Sequence, residues 1–259
     1  SYDWLLIFKS LFVPQIIWNE QFLFNMMAFL GTTISPYLFF WQADEEVEEA
    51  IQKGKIIGFG KGRPDVTKQD IEQMKVDTVI GMTLSNLVAF FIMITAAGTL
   101  HANNSGEIAT AAQLAEALRP FAGDFAVYLF AYGIIGTGLL AVPILAGSFA
   151  YAIGETFEMK LGLGKTFMQA AGFYAVLIIS MLVGVILNFV DIDPVHMLYY
   201  SAAANGLLAA PILFIILFIA NNKRIMGDKV NGKLSNILVG ITTFIMAVIS
   251  LFVIESLVR

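Results

Sequence analysis

The sequence predicts an all-α polytopic membrane protein with six transmembrane helices, and three observations carry that prediction. Of its 259 residues 58% are hydrophobic and only 14% are charged, with a mean hydropathy of +0.77. Soluble domains carry about a quarter charged residues. Several apolar stretches reach the roughly 20 residues that cross a bilayer. Basic residues also alternate along the chain. Twelve of the fifteen Lys and Arg fall in three alternate loops, 50–76, 155–167 and 221–236. The loops between them hold Arg119 alone, and Lys9 and Arg259 sit at the ends. The positive-inside rule places the three basic loops in the cytoplasm and the chain in a cell membrane as a multi-pass protein.

In order, residues 1–21 mix Trp4, Pro14 and Trp18 with apolar residues and read as an outer interfacial segment, tryptophans at headgroup level. The first span covers about 22–49 and is broken near 31–36. There Gly31-Thr-Thr-Ile-Ser35-Pro36 interrupts an apolar run. Proline removes a backbone donor and crowds the preceding turn, and glycine weakens the helix further. Unwound backbone at membrane depth is tolerated only where it is buried or lines a wet cavity, and broken helices are where secondary transporters bind solute. A plain kink in a packed bundle gives the same pattern. The remaining spans are expected at about 77–100, 125–154, 168–190, 197–220 and 237–257, the fifth interrupted at Asn205-Gly206 and Pro211. All lie in a single transmembrane domain, 1–259.

The first span ends in five acids within six positions, Asp44, Glu45, Glu46, Glu48 and Glu49. A helix C-terminus disfavours anions. The run therefore reads either as a cation-attracting cytoplasmic vestibule or as a solvated helix end balanced by Lys53 and Lys55. Gly58-Phe-Gly60-Lys-Gly62 lacks the strand and Lys-Ser/Thr of a phosphate loop and reads as a flexible loop. Gly133, Gly136 and Gly138, then Ala146, Ala150 and Gly154, form small-residue patterns that let helices approach. Asn86 and Asn205 lie inside apolar spans and call for hydrogen-bond partners, by default on other helices. Asn103-Asn104-Ser105 matches a glycosylation acceptor only weakly, and His101 and His196 sit near helix ends. There are no cysteines, hence no disulfide or thiolate metal site. No ionisable residue falls at the middle of a span.

These residues resemble the natural resistance-associated macrophage protein (Nramp) family of divalent metal transporters. Gly31-Thr32-Thr33-Ile34-Ser35-Pro36-Tyr37 lies in register with the family's broken sixth helix, Gly-Ala-Thr-Val-Met-Pro-His. The stretch from Asn221 to Asn231, with Met226-Gly227 inside it, is similar to the family's Ser-Asp-Arg-Lys-x-Met-Gly-Glu-x-x-Asn. The segment GLLAVPILAGSFAYAIGE aligns with the eighth helix, Gly154-Glu155 standing where the family has Gly-Gln. The three occur in order, the resemblance covers nearly the whole chain, and the variant looks like a divergent bacterial branch.

The resemblance implies a LeuT-like fold, of which this chain is the second inverted repeat plus one further helix. It implies a fragment of a larger transporter, lacking an N-terminal half whose broken first helix carries the metal-binding Asp-Pro-Gly-Asn. It implies that Thr32 offers a backbone carbonyl to the ion. Ser35 stands in place of a soft methionine ligand, and Tyr37 in place of a histidine linked to proton coupling. Ala203 stands where the tenth helix has glutamine, so Asn205 substitutes only from a shifted position. A hard hydroxyl gives no filter for transition metals, which admits magnesium beside manganese and iron.

The expected function is secondary transport of divalent metal cations by alternating access, with Thr32, Ser35, Tyr37 and Asn205 as substrate-binding residues. The alternatives are a LeuT-fold carrier of a small uncharged or amino-acid-like solute and a truncated half-protein that transports nothing. The expected partners are the divalent ion, the lipid bilayer and the N-terminal half. No enzyme activity, cofactor or nucleic-acid partner is expected.

Overall fold

The computed structural model describes residues 9–10, 13, 17–62, 66–97, 112–113, 115–116, 119, 123–190 and 193–258. Trp4, Pro14, Arg63, His101, Asn103-Asn104-Ser105 and most of the loop before residue 123 lie outside the described residues. The secondary-structure elements among the described residues are all helices, with one isolated bridge between Gly58 and Lys61.

Helix α1, Glu20–Thr33, starts where the Asn19 side chain accepts the Phe22 N–H at 2.7 Å. It stops before Pro36, whose ring disfavours helical backbone in the residue ahead of it. Helix α2, Pro36–Gln52, restarts with proline in the first turn, where its missing N–H costs nothing. Only Ile34 and Ser35 separate the two helices, so the break is shorter than the Gly31–Pro36 knot suggests.

Helix α3, Lys68–Ala96, opens with a reciprocal cap. The Asp70 N–H reaches Thr67 Oγ1 at 3.2 Å, and the Thr67 N–H reaches Asp70 Oδ2 at 2.8 Å. Helix α4, Phe125–Thr156, carries Pro143 inside it. Helix α5, Ala171–Leu187, has 17 residues and is shorter than the 168–190 expectation. Thr166–Gln169 closes a turn ahead of it, and Asn188 Nδ2 bonds back to the Gly184 carbonyl at 3.0 Å at its other end. Helix α6 is Pro194–Asn221, α7 is the single turn Lys223–Met226, and α8 is Lys233–Val258.

The α1–α2 pair, α3, α4, α6 and α8 are each long and apolar enough to cross a membrane. Helix α5 is apolar and about 25 Å long, a little under the hydrocarbon thickness. Large apolar side chains stand exposed along these helices, from Val79 and Ile92 to Leu139 and Phe244. The protein is an all-α, multi-pass membrane protein.

The chain divides into two compact units, Ser1–Phe39 with Ile192–Arg259, and Phe40–Asp191. In the first, α1 packs on α6 and α8 around Met27, Ala209, Met246 and Val253. Glycine makes the α1–α6 contact possible. A Cβ on Gly31 would overlap the Ala202 carbonyl and come within 2.5 Å of the Gly206 nitrogen. A Cβ on Gly206 would meet Met27 Sδ and lie 2.6 Å from the Met27 carbonyl oxygen. Tyr199 donates its hydroxyl to Asn25 Oδ1 along the same contact. Two amide bonds between Asn221 and Asn236, at 2.9 and 2.6 Å, close the turn from α6 to α8.

Three sequence expectations are corrected here. Helix α6 runs unbroken through Asn205, Gly206 and Pro211. The contact of Gly206 with Met27 outweighs the helix weakness of glycine, and proline is tolerated inside membrane helices. Asn86 bonds within its own helix, Nδ2 to the Met82 carbonyl at 2.7 Å, and links no second helix among the described residues. A Cβ on Gly133, Gly136 or Gly138 would meet nothing within 4 Å, so these glycines mediate no close approach among the described residues.

In the second unit, Tyr151 and Phe173 stack with centroids 4.8 Å apart, and Trp41 and Phe59 pack around Tyr151. Gly147 leaves the space that the Trp41 ring fills. No described residue of α3 is buried.

Gly31→Ala and Gly206→Ala are expected to lower the melting temperature of the detergent-solubilised protein, because overpacking costs about 1–3 kcal/mol and the obstructing atoms include backbone. Gly133→Ala should leave it unchanged or raise it. Equal effects at all three positions would contradict the glycine contact.

Candidate functional site

The break takes its chemistry from a hydrogen bond that proline cannot make. In a continuous helix the N–H of residue 36 would bond to the carbonyl of residue 32. Pro36 has no N–H, so the Thr32 carbonyl loses its helical donor. Ser35 supplies a replacement. Its hydroxyl lies 3.0 Å from the Thr32 carbonyl and 3.0 Å from that of Gly31. One hydroxyl proton serves one of these at full strength, and each carbonyl oxygen has a second lone pair. Ser35 is 2% exposed, so this arrangement is held inside the protein.

The threonine hydroxyls are committed elsewhere. Thr32 Oγ1 and Thr33 Oγ1 both donate to the Phe29 carbonyl, each at 2.7 Å. Their protons are used inside α1, so neither threonine hydroxyl covers the Thr32 carbonyl. Tyr37 is half-buried in the first turn of α2. Asn205 is half-buried on α6, next to Gly206, and makes no hydrogen bond among the described residues. Ala203 is 3% exposed in the core of the same unit. Thr32, Ser35, Tyr37 and Asn205 thus fall in one compact unit and carry oxygen and amide donors without a carboxylate.

The five acids do not share one environment. Helix α2 continues to Gln52, so none is its last residue. Glu49 pairs with Lys53 at 2.5 Å on the surface, which holds the ammonium above its ordinary value. Glu46 accepts from Gln42 Nε2 at 3.1 Å. Lys55 turns away from the run to Asp70, 2.8 Å off. Glu48 is buried, and its Oε1 accepts the Tyr151 hydroxyl and the Leu163 N–H at 2.6 Å. Its Oε2 accepts the Gly164 N–H at 3.1 Å. Asp44 is also 7% exposed, makes neither a hydrogen bond nor an ion pair among the described residues, and has Glu155, Glu48 and Glu45 as its charged neighbours. Glu45 Oε1 is buried and unbonded. Among the described residues no group of three or more Asp, Glu, His or Cys is placed to hold a metal ion.

The sequence did not single out Tyr151, Leu163 and Gly164. A signal for them exists, because Trp41, Asp44 and Glu48 stand at i, i+3 and i+7, the spacing of one helix face. An aromatic residue on that face marks it as buried. The Gly58–Gly62 loop lines a cavity of about 410 Å³ with Lys53, Lys55, Glu46, Glu49 and Asp70, a mixture of both signs. His196 pairs with Asp193 at 2.7 Å beside the start of α6, where Asp193 also caps the Val195 N–H.

A family model described as natural resistance-associated macrophage protein-like matches residues 1–256. The chain belongs to the Nramp family. Nramp relatives include the divalent metal cation transporter MntH of Yersinia enterocolitica, 24% identical over 252 residues, covering 96% of this chain and 55% of that protein. MntH of Klebsiella pneumoniae is 24% identical over 225 residues, covering 87% and 49%. MntH of Pectobacterium carotovorum is 27% identical over 161 residues, covering 61% and 36%. The chain spans about half the length of the curated Nramp relatives it matches.

Within this Nramp chain, Asp44 is a buried carboxylate among other acids with no counter-ion among the described residues, an arrangement that costs stability unless neutralised. Asp44→Asn removes the charge at nearly constant shape and should raise the melting temperature, by about 2 °C or more for each kcal/mol gained. A fall would show that Asp44 has a stabilising partner.

Proposed function

We propose that this chain forms part of a secondary transporter of divalent metal cations, with the α1–α2 break contributing ligands to the ion site. The observation that carries the reading is the Thr32 carbonyl, deprived of its helical donor by Pro36 and held beside the buried Ser35 hydroxyl. A carbonyl at a helix C-terminus lies at the negative end of the helix dipole, which favours a cation. The divalent metal cation transporters named MntH, over whose length about half is matched, support the substrate class.

In this reading Thr32 and Ser35 present hard oxygen ligands, and Tyr37 and Asn205 flank the break. Further ligands come from chain beyond these residues, in keeping with the half-length match. Oxygen donors suit hydrated, hard cations such as magnesium, whereas a thioether at the Ser35 position would favour transition metals. Tyr37 offers a phenol oxygen and has no imidazole nitrogen to offer. The cycle is alternating access around the break. The lack of any carboxylate among the four residues favours a second reading, a carrier of a small uncharged or amino-acid-like solute.

The test is flux into liposomes holding the complete protein, with manganese and magnesium compared. Divalent uptake is expected, with magnesium carried at a rate comparable to manganese. Ser35→Met should shift preference toward manganese by about tenfold, the equivalent of 1.4 kcal/mol of ligand discrimination. If no divalent ion moves while a neutral solute does, the second reading replaces the first.

A further inference from the structure

Glu48 is a buried carboxylate with no cationic partner among the described residues, yet three donors hold it. Tyr151 on α4 and the N–H groups of Leu163 and Gly164 donate to its two oxygens. Leu163 and Gly164 belong to the connector between α4 and α5. That connector is shaped for the carboxylate. Gly162 has φ +128°, and a Cβ there would lie 2.9 Å from Glu48 Oε1. The same connector is pinned at its other edge, where the Tyr174 hydroxyl of α5 lies 3.1 Å from the Leu163 carbonyl and 2.8 Å from that of Lys165. Burying a charge is costly unless its hydrogen bonds are made, and charge-assisted bonds are the strong ones. A single side chain thus ties three elements together, and it sits on the half-helix that begins at the break.

We propose that Glu48 is a positioning residue for transport, a carboxylate latch that makes α2 beyond Phe40, α4 and the 157–170 connector move as one body. The transport role rests on the reading given above, while the latch itself does not. The carboxylate acts as a structural anchor rather than an ion ligand, because three protein donors already hold its two oxygens. Its neighbour Glu49, paired with Lys53 on the surface, is outside the latch.

The test is residue-resolved amide hydrogen exchange on the complete protein in lipid nanodiscs. Glutamine offers one acceptor oxygen and an NH2 where glutamate offers two oxygens. Glu48→Gln should therefore speed exchange at one of the Leu163 and Gly164 amides, and Glu48→Ala at both, by about tenfold or more. Tyr151→Phe should speed exchange at Leu163 by less, and Glu49→Gln should change neither. Unchanged exchange at both amides in Glu48→Ala would overturn the latch. In liposomes, Glu48→Gln should lower the turnover of manganese flux with its KM unchanged. A raised KM at unchanged turnover would instead put Glu48 in the ion path and overturn the positioning role. Failure of the unsubstituted protein to move any divalent ion bears on the transport reading alone, because exchange decides the latch.

Discussion

A backbone carbonyl inside a membrane must find a donor within the protein, and the first unit is arranged around one that cannot find its usual one. Pro36 strips the Thr32 carbonyl of its helical partner. The chain does not respond by unwinding over many residues. It breaks for two, Ile34 and Ser35, and uses the serine hydroxyl to cover the exposed carbonyls. The cover is partial, since one proton faces two acceptors. Gly31 and Gly206 then hold the end of α1 hard against α6, so the arrangement is fixed rather than a loose kink. The same tightness that stabilises the first unit keeps the Thr32 carbonyl positioned beside the Ser35 hydroxyl.

The second unit solves a different electrostatic problem. A run of acids near the end of α2 would repel itself, and the structure divides the run by helix face. The outward face keeps Glu46 and Glu49 in solvent contact, balanced locally by Gln42 and Lys53. The inward face takes Glu48 into a cage of backbone N–H groups and a phenol. Asp44, one turn earlier on that face, is buried without such a cage. The stretch that reads as a cation-attracting vestibule or a solvated helix end holds residues in different environments: Glu48 is hydrogen-bonded and buried, Glu49 is paired with Lys53 on the surface, and Asp44 is buried among other acids.

How much of this the chain discloses in its sequence depends on the range of the interaction. The membrane class, the break and the family register rest on local features: apolar runs, a proline, and a few residues around it. The break could be found because Pro36 acts on a residue four positions away. The partners of Glu48 lie 103 to 116 residues along the chain, and the local spacing marks its helix face as buried without saying what meets it. Helix α6 shows the converse. Asn205-Gly206 and Pro211 are helix-weakening by propensity, but the packing of Gly206 on Met27 decides the outcome, and the helix is continuous. Asn86 was expected to bond across helices, yet the carbonyl one turn back is the nearer acceptor. Around the break, the proline and its small polar neighbours were legible. The bonds that the threonine hydroxyls make to Phe29 and the Ser35 hydroxyl makes to Gly31 and Thr32 were not.

The central claim is that the ion meets the chain at the α1–α2 break. Anomalous scattering from crystals of the complete protein soaked with manganese tests it most directly. The account predicts a peak within bonding distance of the Thr32 carbonyl oxygen and near Ser35. A peak beside Asp44 and Glu155, with none at the break, would contradict it.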